Sequence, residues 1–220
     1  VTEAVARAET LRITEIFASL QGEARHVGWP TVFVRLTGCP LRCGWCDTTY
    51  AFTGGEARAL EAILAEVGGH GIEHVTVSGG EPLAQRGCLA LLTALCDAGH
   101  RVSLETSGAL DITGVDPRVE RVVDLKAPGS GESHQNRWDN LEDLRPADQV
   151  KFVLADRADY EWARDVVAEH GLDRRCEVLF SPVHEGLAAR ELADWIVADA
   201  LPVRFQVQLH KLLWGDEAGR

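Results

Sequence analysis

The chain has 220 residues, 45% of them hydrophobic and 25% charged, enough for one sizeable domain around a real core. Its formal net charge of −12 argues against a general nucleic-acid binder, which needs a basic surface to displace counterions. No run of eighteen or more apolar residues is present, so no membrane-spanning helix is expected. The first ten residues are polar and acidic and lack the basic and apolar blocks of a signal peptide, which predicts a cytoplasmic protein.

Strand-like runs rich in β-branched residues fall at 11–18, 31–38, 74–79, 101–108, 121–128, 149–155, 176–183 and 204–209. Helical periodicity falls at 56–68, 83–99, 159–171 and 186–200, with Gly68, Gly99 and Gly171 placed to end three of these helices. The alternation predicts βα units and a mostly parallel sheet. The helices are fewer than the strands, and the chain is short for a full eight-unit barrel, typically about 250 residues. The expected fold is therefore α/β, a partial, open (β/α) barrel in a single domain spanning 1–220, with a doubly wound open sheet as the alternative. Either fold puts its active site at the C-terminal ends of the strands. The polar motifs fall there: Ser78-Gly79-Gly80-Glu81-Pro82, Glu105-Thr106-Ser107-Gly108, Asp124-Leu125-Lys126 and Ser181-Pro182. Lys151 also sits near a strand end. The irregular stretch 127–146 reads as a long functional loop.

Of six cysteines, Cys88, Cys96 and Cys176 stand alone in apolar patterns and read as small core residues. The other three, Cys39, Cys43 and Cys46, crowd into one loop after a strand with C-x₃-C-x₂-C spacing. Three thiolates can each hold one iron of a 4Fe-4S cluster, and the fourth iron then stays open to a substrate group. A zinc site would want a fourth ligand, such as His26 or a distant cysteine, and usually a second ligand pair. A thioredoxin-like pair would use Cys43 and Cys46 and leave Cys39 without a role.

With Trp45 just before the last cysteine, this spacing resembles the signature of the radical S-adenosylmethionine superfamily. The resemblance implies that the open iron chelates the amino and carboxylate groups of S-adenosylmethionine. One electron then cleaves the sulfonium to methionine and a 5′-deoxyadenosyl radical, which abstracts a substrate hydrogen. It also implies cofactor contacts from Trp45, from Ser78, Gly79, Gly80 and Glu81, from Glu105 and Ser107, and from Lys126 and Ser181. Taken singly, the glycine pair is an ordinary tight turn and the others are polar residues at strand ends.

Residues 15–51 narrow the resemblance to the 7-carboxy-7-deazaguanine synthase family. The match is carried by Ser19-Leu20-Gln21-Gly22-Glu23, Gly28, Pro30, Phe33-Val34-Arg35, Gly38 and Cys46-Asp47-Thr48, and later by SGGEP, ETSG, DLKAP and QLHK. The family converts 6-carboxy-5,6,7,8-tetrahydropterin to 7-carboxy-7-deazaguanine with loss of ammonia, re-forming S-adenosylmethionine. The resemblance implies Mg²⁺ at Thr48 and substrate contacts from Leu20, Gln21, Gly22, Glu23, Arg35 and His210, the last from the final strand. It further implies a homodimer and a flavodoxin or ferredoxin as electron donor. A carboxylate at Glu23 suits the N–H groups of a pterin ring, and Arg35 suits its carboxylate. Individually, Arg35 could face solvent or pair with an acid, and Gln21 and Glu23 could form only a turn. Their joint spacing favours the site. A glycyl-radical enzyme activase shares the cysteine spacing, but the SLQGE block and Cys46-Asp47-Thr48 disfavour it. The ten residues after His210 leave open any contact made by a terminal carboxylate.

Overall fold

A computed structural model describes residues 10–215, 217 and 219; the acidic N-terminal segment and part of the tail lie outside them. Strand β1 (Thr10–Leu20) runs antiparallel to β2 (Pro30–Leu36) and to the short edge strand β3 (Glu56–Ala59). From β2 onward every pairing is parallel and sequential, through β4 (His74–Gly79), β5 (Arg101–Thr106), β6 (Glu120–Asp124), β7 (Gln149–Leu154), β8 (Glu177–Pro182) and β9 (Arg204–Phe205). The order β3-β1-β2-β4-β5-β6-β7-β8-β9 never reverses among the parallel strands. A doubly wound sheet would reverse at a switch point. The architecture is therefore the expected partial barrel, open between β3 and β9.

Helices α1 (Leu60–Gly69), α2 (Cys88–Asp97), α3 (Arg157–His170) and α4 (Ala189–Ala198) cover the outer face. Two apolar cores result. One packs Ile63, Val67, Leu91, Leu92 and Leu95 against β1, β2, β4 and β5; the other packs Tyr160, Ala163, Val167 and Ile196 against β6, β7 and β8. Cys88 and Cys176 are buried, and Cys96 packs partly buried against the first core. Loop 127–146 contains three short 3₁₀ turns. No helix among the described residues is long and apolar enough to cross a membrane.

Three local expectations are corrected. Residues 56–59 start no helix, because long β1 offers them a pairing edge, Thr10 to Ala59 through Ile13 to Glu56. Gly68 lies inside α1, and the reversal occurs at Gly71, φ +65°. The last strand stops at Phe205. Gln206 N–H still donates to Phe180 O, but Pro182 has no N–H for a further rung. Leu209 N–H turns instead to Gly22 O (2.9 Å), and Leu209–Trp214 forms a short helix, α5. His210 therefore comes from a helix, not a strand.

The β1–β2 loop plugs the barrel. Ala24 packs on Val122 and Leu179 within the sheet's concave side. Arg25 pairs with Glu120 and Glu177, and His26 with Glu120, at the N-terminal ends of β6 and β8. This bracing fixes Gln21, Gly22 and Glu23 just above, at the other end of the lumen.

Candidate active site

A cavity of about 480 Å³ opens at the C-terminal strand ends. Cys39, Cys43 and Cys46 line one side of it, half-buried and all free thiols. Burial pushes all three thiols up from their ordinary range, and the nearby Lys126 ammonium acts in the opposite direction. Among the described residues no three His, Cys, Asp or Glu side chains converge on one point as a single ion requires. Three free thiols on one short loop suit a cluster in which each binds its own iron. The loop is locally stiffened: Arg42 donates to Cys39 O (2.8 Å) and Leu41 O (2.6 Å) and lies over the Phe52 ring.

The glycine pair underlies this loop. Gly79 sits at φ +144°, and a Cβ there would overlap the Leu36 backbone. A Cβ on Gly80 would overlap Gly38 O and crowd Cys39 Cβ. The adjacent Glu81 is fully buried and does not line the cavity. Its carboxylate accepts from Thr106 Oγ1 (2.9 Å), Ser107 N (2.7 Å) and Leu83 N (3.0 Å), tying the turn after β4 to the end of β5. Ser181 is likewise buried away from the cavity wall, and its hydroxyl finds no partner among the described residues.

The remaining predicted residues, Leu20, Gln21, Gly22, Glu23, Arg35, Trp45, Thr48, Ser78, Glu105, Ser107, Lys126 and His210, all line the same cavity. A chain of polar contacts crosses its floor. Thr48 Oγ1 donates to Asp47 Oδ1 (2.6 Å). Gln208 Nε2 donates to Asp47 Oδ2 (3.3 Å) and to Glu23 Oε1 (3.0 Å). Lys151 Nζ reaches Glu23 Oε2 (2.9 Å) and Asp124 Oδ2 (3.3 Å), and Lys126 Nζ reaches Asp124 Oδ2 (3.1 Å). Burial alone would lower the Lys151 pKa, but Glu23 and Asp124 outweigh it and hold the ammonium well above its ordinary value. Beside this chain, Glu105 accepts from Ser78 Oγ (3.0 Å) and Gln21 Nε2 (3.3 Å). Burial raises its carboxyl above the usual range despite Lys151.

Arg35 pairs with Glu15 (2.6 Å), which also accepts from Tyr50 OH, while the guanidinium still faces the cavity. Phe17 and Phe33 stack at 5.1 Å beside it and give the cavity an apolar wall. The His210 imidazole packs directly on Gly22, where a Cβ would collide with Nδ1. Burial lowers its pKa from the ordinary histidine value.

The radical SAM superfamily model matches residues 33–130. The 7-carboxy-7-deazaguanine synthase of Chlorobaculum tepidum is 46% identical, the match covering 94% of this chain and 96% of that one. The chain belongs to the 7-carboxy-7-deazaguanine synthase family. The corresponding protein of Koribacter versatilis is 42% identical over 94% of this chain and 98% of its own. A crystal structure of QueE from Escherichia coli superposes with a TM-score of 0.76 at 26% identity, covering 91% of this chain and 95% of that one. Radical S-adenosylmethionine chemistry, with its 4Fe-4S cluster and S-adenosylmethionine, comes with membership of this synthase family.

The sequence does not single out Phe17, Asp47 and Gln208 as site residues, and it leaves Asp124 and Lys151 open as solvated strand-end groups or cofactor contacts. Each of the three carries a sequence signal. Phe17 shares its face of β1 with Glu15 and Ser19 by the two-residue strand period. Asp47 sits between Cys46 and Thr48, both candidate metal-site residues. Gln208 opens the QLHK motif two residues before His210, but its reach to Glu23 and Asp47 depends on the break of β9 and the turn into α5.

Proposed function

We propose that this chain converts 6-carboxy-5,6,7,8-tetrahydropterin to 7-carboxy-7-deazaguanine with loss of ammonia. The observation that carries the reading is one cavity in which three cysteine thiols face Gln21, Glu23, Arg35 and His210. An iron–sulfur cluster on Cys39, Cys43 and Cys46 fits that donor set. When bound, the cluster and S-adenosylmethionine supply a carbon-centred radical that takes a hydrogen from the substrate. The protein's own residues bind and orient. Glu23, held from below by Lys151, accepts the N–H groups of the pterin's guanidine-like edge, and Gln21 reads the neighbouring ring edge. Arg35 pairs with the substrate carboxylate while sharing its charge with Glu15; such charge-assisted bonds are the stronger kind. The stacked Phe17 and Phe33 keep bulk water from that wall.

Thr48 offers a hydroxyl for Mg²⁺, a hard cation that prefers oxygen and keeps several waters. The family resemblance further supplies a homodimer, a flavodoxin or ferredoxin donor and a cytoplasmic setting. The test is anaerobic reconstitution with iron, sulfide, reductant, S-adenosylmethionine, Mg²⁺ and the tetrahydropterin, with products followed by mass spectrometry. Appearance of 7-carboxy-7-deazaguanine supports the reading. Turnover of a glycyl-radical partner enzyme without it would return the activase reading.

A further inference from the structure

Glu23 is the carboxylate on which the pterin reading turns, and its two oxygens are held differently. Lys151 takes Oε2 from the floor of the barrel (2.9 Å), and Gln208 takes Oε1 (3.0 Å). The same Gln208 nitrogen lies 3.3 Å from Asp47 Oδ2, on the cysteine loop between Cys46 and Thr48. Gln208 is thus the neutral link between the Asp47 and Glu23 carboxylates in a polar chain that runs Thr48, Asp47, Gln208, Glu23, Lys151, Asp124, Lys126. It is also the link carried by the C-terminal segment, anchored by Leu209 N–H on Gly22 O and by His210 on the Gly22 backbone. Two carboxylates approached by one amide nitrogen are kept apart in a defined geometry, which an apolar side chain cannot do and a third carboxylate would oppose.

We propose that Gln208 is a positioning residue: its carboxamide sets Glu23 in register with the cysteine loop, so that the ring edge held by Glu23 is presented to the radical source. The proposal rests on the pterin reading above. Gln208 acts through Glu23 and Asp47, so its loss falls on the pterin and spares S-adenosylmethionine.

The experiment is anaerobic titration calorimetry of the reconstituted enzyme with 6-carboxytetrahydropterin and, separately, with S-adenosylmethionine, for wild type, Gln208→Leu and Gln208→Glu. A hydrogen bond to a charged group translates into an expected rise in the pterin Kd of about tenfold or more for Gln208→Leu. Gln208→Glu, which keeps the wild-type shape, is expected to lose more, because it adds a carboxylate beside two others. The Kd for S-adenosylmethionine is expected to stay within about twofold, well under the tenfold that about 1.4 kcal/mol represents. Unchanged or tighter pterin binding in both variants overturns the proposal, as does an equal loss of both ligands. A wild-type enzyme that binds S-adenosylmethionine but no pterin overturns the functional reading and this proposal with it. Pterin binding by wild type, matched by Gln208→Leu and Gln208→Glu, overturns the proposal alone.

Discussion

Lys151→Met removes the ammonium from the centre of the cavity floor and keeps most of the side-chain volume. The wild-type group lies 2.9 Å from Glu23 and 3.3 Å from Asp124, and all three side chains are only 12–15% exposed. Deleting one partner of a buried ion pair costs about 3–5 kcal/mol, because the remaining charge stays buried without compensation. Here Lys126 still serves Asp124 and Gln208 still serves Glu23, so the lower end applies, about 3 kcal/mol. For a chain of this size each kcal/mol moves Tm by roughly 2–4 °C, which gives a fall of about 6–12 °C. Differential scanning calorimetry at pH 7 reads this directly. A fall below about 2 °C would show that the Glu23 and Asp124 carboxylates need no cation, and the electrostatic account of the floor would be wrong.

Gly80→Ala is expected to lose the iron–sulfur cluster, measured as iron and sulfide content and as visible absorption, because the new methyl group meets Gly38 O and Cys39 Cβ. Full cluster occupancy would refute the packing argument. Arg121 is 1% exposed and bonded to Asp148 and Asp143. Arg121→Met should therefore lower stability by about 3–5 kcal/mol in urea titration; an unchanged midpoint would count against it. Glu105 has a folded-state pKa raised by burial, so its protonated form is favoured on folding. Its contribution to wild-type stability then declines as pH rises from the unfolded value, about 4.3, through the folded one. Glu105→Gln removes that slope, so its Tm advantage over wild type should grow from pH 4 to pH 7, and a constant difference would contradict the assignment.

Strand alternation, the glycine turns and the cysteine spacing made the parallel sheet and the cluster loop legible, because both depend on short-range pattern. The limits are equally physical. The segment 56–59 has good helix formers, yet pairing with β1 overrides their propensity. The resemblance gives Gly79, Gly80 and Glu81 one shared role, but in the fold the two glycines allow close backbone packing while Glu81 is a buried acceptor for Thr106, Ser107 and Leu83. The cross-cavity chain from Thr48 to Lys126 joins residues more than a hundred positions apart, such as Glu23 and Lys151. Nothing in local periodicity reports a pairing of that kind. The end of β9 depended on a missing N–H at Pro182, and with it the placement of Gln208 and His210.

The most direct test of the central claim follows two quantities at once in the reconstituted enzyme supplied with 6-carboxytetrahydropterin: 7-carboxy-7-deazaguanine formed and S-adenosylmethionine consumed. The account predicts many product molecules per enzyme with S-adenosylmethionine largely preserved. Accumulation of methionine and 5′-deoxyadenosine with no 7-carboxy-7-deazaguanine would contradict it.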